Sequence, residues 1–204
     1  MARRRSTSAV VLLALLALGA AAYNQYFRTR PPRPLDVAAP PGAIVSENHF
    51  SPAENLEQLD LERLERAQRS VDIAMYAFTD KYIAETLVRL AQKGVRVRLY
   101  RDRSQYLSEQ QNAAQHRDLS TTGLLRRERN IEIRIKASSR RDLMHLKSYL
   151  VDGELLRDGS ANWSPAGLKR QDNNAHFTND PAQVRAFRER FEEMWADPGN
   201  DVAD

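Results

Sequence analysis

The sequence has 204 residues, 28% charged and 42% hydrophobic, enough for one domain of ordinary size with a small additional segment. It contains no cysteine, which excludes a disulfide scaffold and a zinc site built from thiolates. The net charge is +4 and the pI is near 9.5, but the net charge by segment is +6 for residues 1–33, −6 for 34–88, +9 for 89–141 and −5 for 142–204. The chain is therefore basic only in its head and in one central block.

The N-terminus has the order of a targeting segment. Three arginines at positions 3–5 precede an uncharged stretch over residues 6–27, whose core at 9–22 is apolar. This length suits a signal peptide, whereas the aromatic residues that follow, beginning with Tyr23, favour a retained membrane anchor. We therefore predict that residues 1–27 are a signal peptide or an anchor. In both cases the positive-inside rule predicts export, with the domain periplasmic or held at the outer side of the membrane.

Residues 28–43 contain five prolines, which prevent a helix and predict an extended linker. The folded domain is predicted over residues 44–197 and a disordered tail over 198–204.

Hydrophobic periodicity predicts most elements of the domain. Helices are predicted at residues 56–67, 81–92, 124–129 and 181–195, and strands at 71–78, 95–100, 131–135, 146–151 and 155–157. The alternation of helices and strands predicts an α/β fold with a mixed, mostly parallel central sheet. Residues 104–122 show no clear pattern. Because the chain has no internal repeat, any two-fold symmetry must come from a second chain.

One segment carries the residues of a chemical site. His145 and Lys147 are two positions apart on a predicted strand, so both side chains project from one face. An imidazole beside a fixed cation suits phosphoryl transfer, in which the nitrogen attacks phosphorus and the ammonium stabilises the oxygens. Ser160 and Asn162 offer neutral donors to the same oxygens, and Gly159 lets the backbone approach a phosphate.

At these residues the chain resembles the phospholipase D superfamily, whose signature is H-x-K, four residues, D, six residues and G-S-x-N. Every position is met at the family spacing, by His145, Lys147, Asp152, Gly159, Ser160 and Asn162. The resemblance covers most of the domain. It is nearest to the small members with one motif per chain, which are bacterial endonucleases of the Nuc type and mitochondrial phospholipase D-like nucleases.

The resemblance implies an α-β-α sandwich and a phosphodiesterase that needs no metal and no cofactor. His145 would attack phosphorus to form a phosphohistidine, and a second histidine would protonate the leaving oxygen. Two residues after each of the other histidines, His49, His116 and His176, stands a residue other than the required lysine. The family pattern therefore implies a homodimer in which two His145 side chains meet and both Lys147 side chains line one site.

Several positions keep two interpretations. Asp152 either orients the site or begins the Asp-Gly turn. Family members carry a glutamate after G-S-x-N that supports the histidine; Asp172 takes this place if the loop is one residue shorter, and Asn173 takes it without a gap. Trp163 either stacks a base or belongs to the core. His176 is expected to be structural.

The basic block before the motif predicts a cationic approach for a phosphate-bearing substrate, the alternative being a solvated face. The residues assigned to this approach are Arg101, Arg103, Arg140 and Arg141. The first functional hypothesis is an endonuclease acting on DNA or RNA. The alternatives are a phospholipase D acting on cardiolipin or phosphatidylcholine, and a non-catalytic module that binds nucleic acid or membrane.

Overall fold

The computed structural model describes residues 43–137 and 142–203. The predicted targeting segment, nearly all of the linker, and Arg140 and Arg141 lie outside these residues. Along the chain the elements are β1 (Ser46–Ser51), α1 (Leu56–Leu64), β2 (Ser70–Met75), α2 (Lys81–Gln92), β3 (Arg96–Arg101), α3 (Arg103–Gln115), α4 (Thr121–Leu125), β4 (Ile131–Ile135), β5 (Lys147–Val151), β6 (Leu155–Gly159), α5 (Pro165–Lys169), β7 (Asn173–Thr178), α6 (Pro181–Ala196) and β8 (Asp201–Val202). Within the described ranges, no helix is both long and apolar enough to cross a bilayer.

The strands form one sheet in the order β1-β7-β6-β5-β2-β3-β4-β8. The predicted α/β class and mixed sheet are confirmed. Only the β2–β3 and β3–β4 pairings are parallel, and the other five are antiparallel. The expectation that the sheet is mostly parallel is therefore wrong, because short connections such as the turn between β5 and β6 can only join antiparallel neighbours.

The sheet has helices on both faces, as expected for an α-β-α sandwich. Strand alternation sends Val71, Ile73 and Met75 to one face, where they join the larger core cluster with α1 and α2. On the other face Ala74 belongs to a smaller cluster with Phe191 and other side chains of α6. Since both faces are covered, β2 is buried along nearly its whole length.

Two helices, α4 and α3, differ from the sequence prediction. The helix predicted at 124–129 lies at Thr121–Leu125, because the Ser120 hydroxyl caps it by accepting from the Gly123 amide at 3.0 Å. The helix α3 occupies residues left without an assignment. It begins after Asp102, whose carboxylate accepts from the amides of the first turn.

The prediction of a disordered tail over 198–204 is wrong for the described residues. The strand β8 pairs with β4, and the Ala203 amide donates to the carbonyl of Ile133 at 3.2 Å. Asn200 accepts from the Tyr100 hydroxyl at 2.8 Å. These partners belong to distant strands, so the local composition of the tail did not reveal them.

A buried ion pair joins α1 to β6. Asp60 and Arg157 are both fully buried, with Nε of the arginine 3.3 Å from Oδ1 of the aspartate. Asp60 also accepts from the Trp163 indole at 2.9 Å and from the Tyr149 hydroxyl at 3.0 Å. Burial raises the pKa of Asp60, and the charge of Arg157 opposes that rise. Trp163 is therefore a core residue and does not offer a face to a base.

We expect Asp60→Ala to lower the free energy of unfolding by about 3–5 kcal/mol, because it leaves the buried guanidinium without its counter-charge. The measurement is urea denaturation at constant pH. Glu193→Ala is the matched control, since it removes an exposed pair with Arg190 and exposed pairs contribute little. Equal losses in the two variants would contradict the importance of the buried pair.

Candidate active site

The residues of the motif meet at one edge of the sheet. At this edge, which we call the site edge, β2, β3 and β6 end and β5 and β7 begin. Met75 pairs there with Lys147, and Gly159 pairs with Ala175. His145 and Lys147 at the start of β5 therefore lie at the same edge as the segment that follows β6, which carries Ser160 and Asn162.

His145 and Lys147 are in direct contact. The Lys147 ammonium lies 2.9 Å from Nδ1 and 3.1 Å from Nε2 of the imidazole, and it donates to the His145 carbonyl at 2.7 Å. His145 is exposed, whereas Lys147 is buried. The pair therefore presents an accessible imidazole with a cation behind it.

Burial and then the charge of Arg157 lower the pKa of Lys147 to about 8. Burial and then the charge of Lys147 lower the pKa of His145 below its usual 6.5, and Asp102 opposes that shift. Near neutral pH the imidazole is then mainly neutral while the lysine is mainly protonated. This is the combination that a nitrogen nucleophile beside a phosphate-binding cation requires.

Tyr76, directly after β2, contributes to the site although the sequence analysis did not select it. Its ring centroid is 4.4 Å from that of the His145 imidazole, and the Lys147 ammonium lies 4.8 Å from the ring centre. Gln105 donates to its hydroxyl at 3.1 Å. The only sequence signal was an aromatic residue at the end of a predicted strand, which is too common to single out a site.

Arg157 connects the two halves of the motif. Its guanidinium donates to the Lys147 carbonyl at 2.5 Å and to the Ala161 carbonyl at 3.1 Å. One buried side chain thus fixes the start of β5 and the segment carrying Ser160 and Asn162. This arginine was also missed, because an arginine within a predicted strand is normally a solvent-facing residue.

Asn173 lies beside Ser160. The Ser160 hydroxyl donates to the Asn173 side-chain oxygen at 3.0 Å and accepts from the Asn174 amide at 3.0 Å. Asp172 is exposed in the preceding bend. Of the two candidates for the supporting position, it is therefore Asn173, a neutral amide, that contacts the motif, and its contact is with Ser160.

Asn162 and Gly159 hold the rest of this segment. The Asn162 side-chain oxygen accepts from the Ala77 amide at 3.3 Å, next to Tyr76. Gly159 has φ +137°, and a Cβ at this position would lie 2.4 Å from the Asn174 carbonyl oxygen. Only glycine fits this close approach of β6 to β7.

The structure places Asp152 at the opposite edge of the sheet. Its carboxylate accepts from the amides of Gln68, Arg69 and Ser70 at 2.7–2.9 Å. It is five positions after Lys147 along an extended strand, a distance of about 16 Å. The assignment of Asp152 to the catalytic group is therefore corrected: it begins the Asp-Gly turn and fastens that turn to the start of β2.

The proposed arginine approach is also corrected. Arg101 is fully buried, and its guanidinium contacts the Glu109 carboxylate at 2.6 Å and the Thr122 hydroxyl at 2.7 Å. Arg103 forms an ion pair with Asp201 of β8. Strand alternation turned Arg101 into the layer between sheet and helices, where it must have a counter-charge.

The other three histidines lie in different surroundings. His49 contacts Glu54 and Glu47, and His176 lies between Asp158 and the Ser46 hydroxyl, in the structural role expected for it. His116 is exposed on the last turn of its helix. Within residues 43–137 and 142–203, no group of three or more histidine, aspartate or glutamate side chains is placed to hold a metal ion.

Comparison with known proteins identifies relatives over most of the domain. A family profile described as "Cardiolipin synthase, PLD-like domain" matches residues 61–195. The chain is similar to proteins named mitochondrial cardiolipin hydrolase. The identity is 32% over 142 residues for that of Danio rerio (69% of this chain, 58% of the relative) and 32% over 135 residues for that of Homo sapiens (66% and 49%). The chain spans about half the length of the curated relatives it matches.

Two solved structures share the fold. NucT from Helicobacter pylori matches with a TM-score of 0.66 and 22% identity, covering 75% of this chain and 96% of that one. Nuc from Salmonella typhimurium, a phospholipase D family member, matches with a TM-score of 0.66 and 21% identity, covering 79% and 99%. At these identities the likeness concerns the fold alone.

We expect Gly159→Ala to lower the free energy of unfolding by about 2 kcal/mol or more, because the new methyl group collides with the Asn174 carbonyl. Gly94→Ala is the control: it has φ +94° and no atom within 4 Å of the new methyl group, so only the backbone strain of about 1 kcal/mol applies. Chemical denaturation measures both. If the two variants lose the same stability, the close approach at Gly159 is not a constraint.

Proposed function

Because the chain belongs to the phospholipase D superfamily of phosphodiesterases, we propose that it cleaves its substrate without a metal ion, through a phosphohistidine formed on His145. The observation that carries this proposal is the contact between the exposed imidazole and the buried Lys147 ammonium at 2.9 Å. A neutral imidazole provides the nucleophile, and the ammonium is placed to neutralise the phosphoryl oxygens.

The reaction divides into two steps. A nitrogen of His145 attacks phosphorus and the bond to the leaving oxygen breaks. A second imidazole, which must be protonated for this step, gives that oxygen its proton and becomes neutral. Water then attacks the phosphohistidine and passes a proton to the second imidazole, which restores both histidines and releases a phosphate monoester. Asn162, whose side-chain oxygen is held by the Ala77 amide, can donate to the phosphoryl oxygens through its side-chain nitrogen. The Ser160 hydroxyl becomes a donor to them only when its one proton leaves Asn173.

The second imidazole belongs to the His145 of a second copy of the chain. In each chain, the imidazole is exposed at the site edge, and Leu143 and Leu146 on either side of it are 40% and 37% exposed. A second copy placed against this edge would cover these leucines and bring two imidazoles and two Lys147 side chains to one phosphate. This arrangement is the homodimer that the single motif implies.

Nucleic acid is the first candidate substrate. The block 89–141 has a net charge of +9, and its last two arginines, Arg140 and Arg141, stand five and four residues before His145 in the sequence. Since Arg101 and Arg103 are engaged in ion pairs, the residues of the block that would add to the charge of Lys147 are Arg140, Arg141 and Lys136, which follows β4. Export by the N-terminal segment would place this activity in the periplasm or at the outer side of the membrane.

Phospholipid is the second candidate. The relatives described above are named cardiolipin hydrolase, and the exposed Leu143 and Leu146 beside the imidazole suit an acyl-chain surface. A membrane anchor over residues 1–27 would keep the domain near such a substrate.

We expect the full-length chain to cleave plasmid DNA or an RNA oligonucleotide in excess EDTA, and His145→Ala to lower the rate at least about 100-fold. Liposomes containing cardiolipin or phosphatidylcholine are assayed in parallel, and the larger kcat/KM identifies the substrate class. His116→Ala, which changes an exposed histidine elsewhere, is the control and should keep the parent rate. A requirement for a divalent metal, or activity that survives His145→Ala, would contradict the mechanism. Salt-sensitive binding without turnover of either substrate would favour the non-catalytic module.

Oxidative crosslinking tests the homodimer, and the chain has no native cysteine to interfere. We expect Leu146→Cys to form a disulfide-linked dimer at low protein concentration, because two copies would bring this residue close to its equivalent across the two-fold axis. Lys93→Cys, exposed at the end of α2 on the opposite edge, is the control and should stay monomeric on a non-reducing gel. Equal crosslinking of the two variants, or none with either, together with a monomer by sedimentation, would rule out the shared site.

A further inference from the structure

Asp102 is a fully buried carboxylate at the end of β3, two strands away from His145 in the sheet. We propose that Asp102 is a positioning residue for His145, which it holds through the backbone of Met144 and faces with its negative charge. The catalytic consequence rests on the function proposed above. The positioning itself is a property of the folded chain.

The first step is a pair of backbone contacts on either side of His145. Oδ2 of Asp102 accepts from the Met144 amide at 3.0 Å, and the Tyr76 amide donates to the Leu146 carbonyl at 2.9 Å. His145 is thereby held between its two neighbours, one fixed by the end of β3 and the other by the residue after β2. Because β5 begins only at Lys147, these contacts set the path of the chain where the sheet ladder does not.

The second step is the ring against which the imidazole lies. Oδ1 of Asp102 accepts from the amides of Ser104 at 3.0 Å and Gln105 at 3.2 Å, so it fixes the first turn of α3. Gln105 in turn donates to the Tyr76 hydroxyl at 3.1 Å, and the Tyr76 ring packs on His145. One carboxylate therefore positions both the backbone of the histidine and the aromatic ring beside it.

The third step is the charge. From β5, the Lys147 ammonium faces the imidazole and lowers its pKa, as does burial, while Asp102 at the end of β3 raises it. Tyr76, after β2, presents a neutral ring, and Arg157 of β6 acts on Lys147 rather than on the histidine. Asp102 is thus the negative charge that counterbalances Lys147. Its removal should lower the pKa of His145 further and move both limbs of a pH–rate profile to lower pH.

The test begins with a measurement that needs no activity. NMR titration of the histidine ring signals in the full-length chain gives the pKa of His145, assigned by its loss in His145→Gln. In Asp102→Asn, whose one amide oxygen can keep either the contact with the Met144 amide or the cap of α3 but not both, we expect this pKa to fall by about 0.5 to 1 unit. Asp180→Asn is the matched control, because Asp180 caps α6 at the opposite edge in the same way. An unchanged pKa of His145 in Asp102→Asn would overturn the electrostatic part.

The second measurement is turnover of bis(4-nitrophenyl) phosphate as a function of pH. Asp102→Ala should reduce kcat about 100-fold with little change in KM, because the histidine loses its backbone anchor. Asp102→Asn, which keeps one of the two acceptor contacts, should recover part of this loss at a lower pH optimum, and Asp180→Ala should match the parent. Equal kcat in Asp102→Ala and Asp180→Ala would overturn the positioning role. If Asp102→Ala does not fold by circular dichroism, the shifted optimum of Asp102→Asn decides. If the parent chain hydrolyses no diester, the proposed function is wrong. The NMR titration of His145 then still tests the positioning role of Asp102, because it needs no activity.

Discussion

The ion pair between Asp60 and Arg157 is the interaction on which the rest of the site depends. Both charges are buried, so neither can be tolerated without the other, and the pair forms only when α1 has packed onto the strands. Arg157 then uses its remaining donors on the carbonyls of Lys147 and Ala161. The two halves of the motif are more than ten residues apart in the chain. Arg157, which also forms the buried ion pair with Asp60, brings them together.

The position of the arginines in the sheet changes the interpretation of the basic central block, residues 89–141. Arg98 is nearly buried between Asp72 and Glu192, and Arg101 is buried against Glu109. Arg98 and Arg101 are an odd number of positions apart on a strand that is covered on both faces, so they enter opposite layers, and each then needs an acidic partner. Much of the excess positive charge in this part of the sequence therefore stabilises the fold, and the cations left for a substrate are fewer than the net charge of +9 suggests.

The chemical character of His145 arises from two opposing neighbours. Burial and then the charge of Lys147 lower the pKa of the imidazole, and Asp102 opposes that shift while it fixes the backbone. Asp152 and Asp172, the carboxylates that the motif and the downstream loop offered, lie in a distant turn and in an exposed bend. Asp102, the carboxylate that opposes the effect of Lys147 on the histidine, follows β3 and lies outside the motif.

The sequence by itself determined the elements with strong local patterns, such as α2, and the placement of His145 and Lys147 on one strand face, because both follow from the repeat of a helix or a strand. It also determined the family, since the motif spacing is a property of the chain. Only the tertiary structure decided that Asp152 lies at the edge of the sheet opposite His145 and that Arg101 is buried. It also decided that the tail forms β8 and that Asp102 and Tyr76 lie beside the histidine. Each of these depends on which strands become neighbours, and strand order is set by long-range burial and pairing that no local pattern records.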